Sequence, residues 1–179
     1  MTKRTGGCAC SAVRYVVNGE TEILHNCHCT ACQRTSGSAF NTCCYFREDT
    51  IRILSGEMTT YTRITDSGRK IDFHFCKVCG TTVVWEPEAR PGMRGLAGGT
   101  FDDTSWIKNP WNIWCDSKQD WYQFPDESEK KDRQEIVRIM FLNKEKSLLF
   151  LPKLNTTPLH PYRYGTTNSS QISIRAVES

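Results

Sequence analysis

Apolar positions along this chain fall in short runs rather than in helical stripes. Ala12–Val17 alternates moderately, and Ala39–Phe46, Thr50–Leu54, Lys70–Phe75 and Thr81–Trp85 are rich in β-branched and aromatic residues. Gly, Asp, Ser or Pro bounds each run, which predicts short strands joined by turns. Ile136–Leu142 and Ser147–Leu151 predict a further hairpin around the loop Asn143–Lys146. Helical signals are few. Thr30–Ser36 suits one or two turns stopped by Gly37, and the charged stretch Asp126–Glu135 suits a polar helix. From about Pro152 onward the composition is that of a loop, either a mobile extension or a strap over a second subunit of a homo-oligomer. The expected fold is mainly β, with few short helices.

Composition narrows the class. The chain has 179 residues, enough for one domain with a real core. Its hydrophobic content is only 38% and its mean hydropathy −0.52, so something besides apolar burial is expected to stabilise it. Lys+Arg 23 against Asp+Glu 20 leaves a net charge of +3, too balanced for a chain that lives on phosphate backbones. No apolar run approaches the ~18 residues of a membrane span, and the first residues lack the apolar stretch of a signal peptide. The expectation is a cytoplasmic protein that binds neither nucleic acid nor membrane.

The ten cysteines then change the picture. In a reducing compartment such thiols are metal ligands more often than disulfides. Three motifs stand out: Cys8-Ala9-Cys10, Cys27-His28-Cys29-Thr30-Ala31-Cys32, and Cys76-Lys77-Val78-Cys79-Gly80. In the last, the turn aims two sulfurs at one ion and Gly80 permits a positive φ. Together, Cys8, Cys10, Cys76 and Cys79 would supply a closed, all-thiolate structural zinc site from two distant segments, and its metal would add directly to folding free energy. Cys27, Cys29 and Cys32 leave three thiolates within six residues. Three protein ligands are the pattern of a catalytic zinc, and an all-thiolate set favours a soft fourth ligand such as a substrate thiolate over activated water. The competing reading is a second closed site completed by His28, Cys43 or Cys44.

These motifs resemble those of the glutathione-dependent formaldehyde-activating enzyme family, whose domain is shared with centromere protein V. The resemblance starts at Gly6-Gly7-Cys8-Ala9-Cys10 and runs through Cys27–Phe40, Phe75–Thr81 and Gly99–Asp103. It reaches Trp114, Ser117, Lys118 and Trp121, and so covers about residues 5 to 125. It implies two zincs per chain, Cys8, Cys10, Cys76 and Cys79 corresponding to the structural site and Cys27, Cys29 and Cys32 to the catalytic one. It also implies small antiparallel sheets joined around zinc, glutathione as co-substrate, and a carbon–sulfur lyase type of activity. The expected organisation is a zinc-binding catalytic domain over 1–142 and a C-terminal hairpin and extension over 143–179. The chain departs from the family pattern at Asn112, where His is usual, and at Ser11, where Gly is common.

Other residues carry weaker expectations. Adjacent Cys43 and Cys44 on a strand point to opposite faces and are read as packing residues. His74, two positions before Cys76, is expected to hydrogen-bond a sulfur. Asp102 and Asp103 either form a carboxylate pair for acid–base work or cap a turn, the turn being favoured. Arg34 and Lys118 are candidates to meet the carboxylates of glutathione. Trp106, Trp111, Trp114, Trp121, Tyr122 and Phe124 read as core or as a pocket wall for a bulky substrate. Three functions stay open beside the glutathione enzyme: a non-catalytic zinc interaction module, a zinc enzyme acting on a larger metabolite without glutathione, and a methionine sulfoxide reductase-like zinc protein.

Overall fold

In the computed structural model, residues 2–131 are described, and they form two sheets. The smaller joins β1 (Lys3–Gly7), β2 (Arg14–Asn18) and β5 (Ile51–Ser55) in the order β1-β2-β5, all antiparallel. The larger is built from β3 (Ile23–Cys27), β4 (Asn41–Arg47), β6 (Met58–Ile64), β7 (Lys70–Cys76), β8 (Thr82–Pro87), β9 (Met93–Ala97), β10 (Trp111–Ile113) and β11 (Lys130–Lys131). Its order is β11-β10-β3-β4-β9-β8-β7-β6; β10 pairs in parallel with β3 and β11, and every other neighbour is antiparallel. The one α-helix among the described residues, α1 (Thr30–Ser36), ends where the sequence predicts, with Gly37 at φ 62° and its N–H bonded to the Gln33 carbonyl.

Strand alternation gives the large sheet two buried faces. On one, Cys44, Phe46, Val84 and Leu96 pack with Val13, Tyr15, Val17 and Ile51 of the small sheet and its flanks. On the other, Cys43, Tyr45, Phe73 and Trp85 cluster with Cys27 and Ile113. Close approach requires glycine at two places. A Cβ on Gly6 would lie 2.3 Å from the Tyr15 hydroxyl, and one on Gly95 would lie 2.2 Å from the Trp85 indole.

Several sequence expectations need correction. Asp126–Glu135 is not helical over its described part: Lys130–Lys131 is a strand paired with β10. Neighbouring chain, not propensity, decides a segment that short. β1, β3, β6, β9 and β10 lack clear hydrophobic runs, because glycines, polar residues or exposure interrupt them. Residues 132–135, the expected hairpin Ile136–Leu142 and Ser147–Leu151, and the tail all lie outside the described residues. Among the described residues no helix is long and apolar enough to cross a membrane.

Candidate metal centres

The first sulfur set is assembled by two tight turns. After β1 the chain reverses through Ser11 at φ 62°, with Ser11 N–H donating to the Cys8 carbonyl at 2.9 Å. The second turn puts Gly80 at φ 72°, as its motif predicts, and Gly80 N–H donates to the Cys76 carbonyl at 2.9 Å. Ala9 N–H donates to Thr81 Oγ1 at 3.2 Å and ties the turns together. Cys8, Cys10, Cys76 and Cys79 thereby bring four sulfurs within 4.8 Å of one another.

This set suits a tetrahedral ion. Zn–S bonds of ~2.3 Å in tetrahedral geometry separate the sulfurs by ~3.8 Å. Here Cys8 and Cys10 lie 3.5 Å apart, and Cys10 and Cys76 lie 3.8 Å apart. Donors also point at the sulfurs: Val13 N–H at 3.2 Å from Cys8, Val78 N–H at 3.4 Å from Cys76, and the Thr81 hydroxyl 3.2 Å from Cys79. With only protons to share, the thiols divide. The Thr81 hydroxyl and amide bring Cys79 down to about 5. The Ala12 amide favours the Cys10 thiolate, but the neighbouring sulfurs outweigh it and push Cys10 up to about 12. A divalent cation removes that conflict by letting all four ionise.

The second set comes from one local segment. Cys27 ends β3, Cys29 caps α1 by accepting the Cys32 N–H at 3.4 Å, and Cys32 lies in the first turn. Their sulfurs also lie within 4.8 Å of one another. Among the described residues no fourth His, Cys, Asp or Glu joins that group. Hydrogen bonds from Cys27, Cys29 and Cys43 hold Cys32 well below the usual thiol range, while hydrogen bonds with Cys29 and Cys32, and then burial, push Cys27 up. This is again a set of donors that a cation would reconcile.

His28, between two of these cysteines, turns away from the sulfurs and does not close the set. Its ring is fully buried among Phe40, Tyr122 and Phe124, and its Nε2 donates to Asn112 Oδ1 at 3.0 Å. Asn112 also accepts from Asn26 Nδ2 at 3.5 Å, and Asn26 Oδ1 accepts from Thr42 at 2.8 Å. The position is therefore a buried amide bridge between the β3–β4 face and the thiol loop.

Cys43 and Cys44 do point to opposite faces. Cys44 is core, but Cys43 packs in the cluster that holds Cys27, with Cys29 and Cys32 against it. Both therefore pack as expected, and the packing of Cys43 places it in the cluster of the thiol loop. His74 is a correction. Its Nδ1 lies 2.9 Å from Thr60 Oγ1 and its Nε2 3.7 Å from Glu86, rather than at a sulfur, because a bulge after His74 redirects β7 before Cys76. Asp103 caps a turn through Ser105 N–H at 2.8 Å, while Asp102 pairs with Arg14 and accepts from Thr5, so the two form no acid–base pair.

The aromatic run is also dispersed. Trp106 packs on the small-sheet side, Tyr122 and Phe124 cage His28, and Trp121 is exposed. Only Trp114 packs against the cluster holding the three thiols, and it does so from a left-handed φ of 58° that few aromatic residues adopt. Tyr45, Trp85 and Phe73 pack with one another farther along the same face of the sheet. His25, buried and stacked on Tyr45 at 5.6 Å, shares the Cys27 face of β3; the cysteine motifs do not point to it, and the i, i+2 spacing to Cys27 is the signal that does. Arg34 and the exposed Trp121 line an open groove with Gln33 and Gln119, and Lys118 follows the turn Cys115–Ser117 beside it.

Residues 3–117 match the family described as glutathione-dependent formaldehyde-activating enzyme. The chain belongs to this family. A crystal structure of a Rhodobacter sphaeroides protein is similar at 22% identity, covering 55% of this chain and 87% of that chain, with a TM-score of 0.44. Membership brings a glutathione-related, formaldehyde-activating type of function, and both cysteine sets could hold zinc.

Proposed function

We propose that this protein is a zinc-dependent enzyme of the carbon–sulfur lyase type, forming or cleaving the adduct of glutathione with an aldehyde or another electrophile. The observation that supports this most is the inequality of the two sulfur sets. Four sulfurs from two distant turns suit a structural ion, whereas three sulfurs from one turn leave a coordination position to a substrate. Cys8, Cys10, Cys76 and Cys79 are assigned to the first ion and Cys27, Cys29 and Cys32 to the second. When bound by three thiolates, zinc supplies a soft, weakly acidic Lewis site that prefers sulfur to water.

The chain's own residues do the rest. The β3–α1 turn fixes the three sulfurs, and Cys43, Ile113 and Trp114 belong to the same apolar cluster as Cys27. Arg34 and Lys118, on neighbouring segments, are assigned to the carboxylates of the thiol partner. The catalytic domain is assigned to residues 1–142, with 143–179 an extension that could bind a second copy, and a reducing cytoplasm would keep the ten thiols free.

The second reading is a non-catalytic zinc module in which Cys43 closes the three-thiol set; its burial against Cys27 favours it. Metal analysis with calorimetric titration of glutathione separates the two. The enzyme reading expects two zincs per chain and glutathione binding that Cys29→Ser abolishes. Two inert zincs without glutathione binding would favour the module. One zinc would remove the two-site assignment, and turnover of an electrophile without glutathione would point to a glutathione-independent enzyme.

A further inference from the structure

Gln33 ties the thiol loop to a segment distant in sequence through three side-chain hydrogen bonds. It follows Cys32 on α1 and is partly buried. Its Nε2 donates to the His28 carbonyl at 2.7 Å and to the Ser117 carbonyl at 2.8 Å, which uses both amide hydrogens. Its Oε1 accepts from Gln119 Nε2 at 2.6 Å, an arrangement that fixes the orientation of the amide, since the flipped one would set oxygen against two carbonyls. Its backbone N–H donates to the Cys29 carbonyl at 3.0 Å.

The two carbonyls it joins are far apart in sequence and both matter to the sulfurs. The His28 carbonyl belongs to the peptide between His28 and Cys29, so its direction sets how the Cys29 side chain leaves the backbone. The Ser117 carbonyl closes the turn Cys115–Ser117, which follows Trp114, the left-handed residue packed against the same sulfur cluster. One neutral amide therefore sets both the aim of the thiol loop and its spacing from the segment that walls it.

We propose that Gln33 is a positioning residue of the three-thiol centre, strapping the Cys27–Cys32 loop to the 115–119 segment through its two amide hydrogens. This rests on the reading of Cys27, Cys29 and Cys32 as a metal site. Hydrogen bonds behind metal ligands of this kind are commonly worth ~10–100-fold in metal affinity. The function lies in donation, not in side-chain volume. Met keeps the length and loses both donors, whereas Lys offers several donors from one nitrogen and can serve both carbonyls.

The test is a cobalt(II) titration of the metal-free full chain, read by thiolate-to-cobalt and d–d absorption, with chelator competition for each site. The wild-type chain should take up two ions. Gln33→Met should weaken one of them by ~10-fold or more and alter its d–d band, the other being unchanged as an internal check on folding. Gln33→Lys should restore wild-type affinity. If Gln33→Met binds both ions as the wild type does, the positioning role is wrong while the two-site reading stands. If the wild type itself takes up one ion, the three-thiol reading fails and the role of Gln33 with it. Should Gln33→Met lose both ions, Gln33→Lys decides: retention of both sustains the proposal and loss of both overturns it.

Discussion

Removing one ligand from each sulfur set should separate their roles, and Cys79→Ser against Cys29→Ser is the cleanest pair. Cys79 is exposed, so its replacement by serine gives up no packing, only a ligand. The set it belongs to joins sulfurs 66 residues apart in sequence, Cys10 to Cys76. On the chain-entropy model, releasing a loop of that length costs ~4 kcal/mol, against ~2 kcal/mol for the roughly five-residue loop spanned by the second set. The loop term is a floor for the first set, since structural zinc contributes apparent values of ~10–16 kcal/mol in small domains. At ~2–4 °C per kcal/mol for a chain of this size, Cys79→Ser should lower the melting temperature by ~10–15 °C or more. Cys29→Ser should lower it by only ~5 °C. The assay is thermal unfolding of the full chain under reducing conditions, with zinc counted in each variant. Cys29→Ser should keep one zinc and lose glutathione binding. A melting temperature for Cys29→Ser as low as that of Cys79→Ser, or lower, would refute the division into a structural and a substrate-binding set.

Three further outcomes test the packing and the electrostatics. Asn112→Leu leaves the buried His28 Nε2 and Asn26 Nδ2 without their acceptor, so thermal or denaturant unfolding should show a loss of ~2 kcal/mol or more; an unchanged midpoint would mean that the amide bridge carries no stability. Gly95→Ala drives a Cβ into the Trp85 indole and should cost ~1–3 kcal/mol with a shift in tryptophan emission, neither of which is expected if the ring can simply slide. Burial pushes the Cys44 thiol up to about 12, above an ordinary value near 9. The unfolded chain therefore loses this proton first, and the contribution of Cys44 to stability is whole below pH 9 and declines as pH rises toward 12. Cys44→Val should flatten the alkaline end of the stability curve, and an unchanged slope there would count against it.

Chemistry that is local in sequence was legible without coordinates. A Cys-x-x-Cys turn needs only its own backbone to aim two sulfurs, and Gly80 takes the left-handed φ that such a turn requires. Gly37 likewise stops α1 by its own conformation, and β4, β7 and β8 show in their β-branched and aromatic runs because each buries most of what it displays, while β5 shows too although its Leu54 is exposed. Tertiary structure alone decided the rest. β3 carries His25 and Asn26 at its centre and reads as polar, yet it is buried because strands cover both of its edges and its polar atoms find partners across them. Alternation separates Cys43 from Cys44, but only the placement of α1 beside β4 makes one of them a neighbour of the thiol loop. The bond from His28 to Asn112 and the one from Gln33 to Ser117 span 84 residues each, and no spacing rule reaches that far. Periodicity reports what one strand or helix presents to its surroundings. Which carbonyl or amide waits opposite depends on the pairing of β10 with β3, a choice made by the whole sheet.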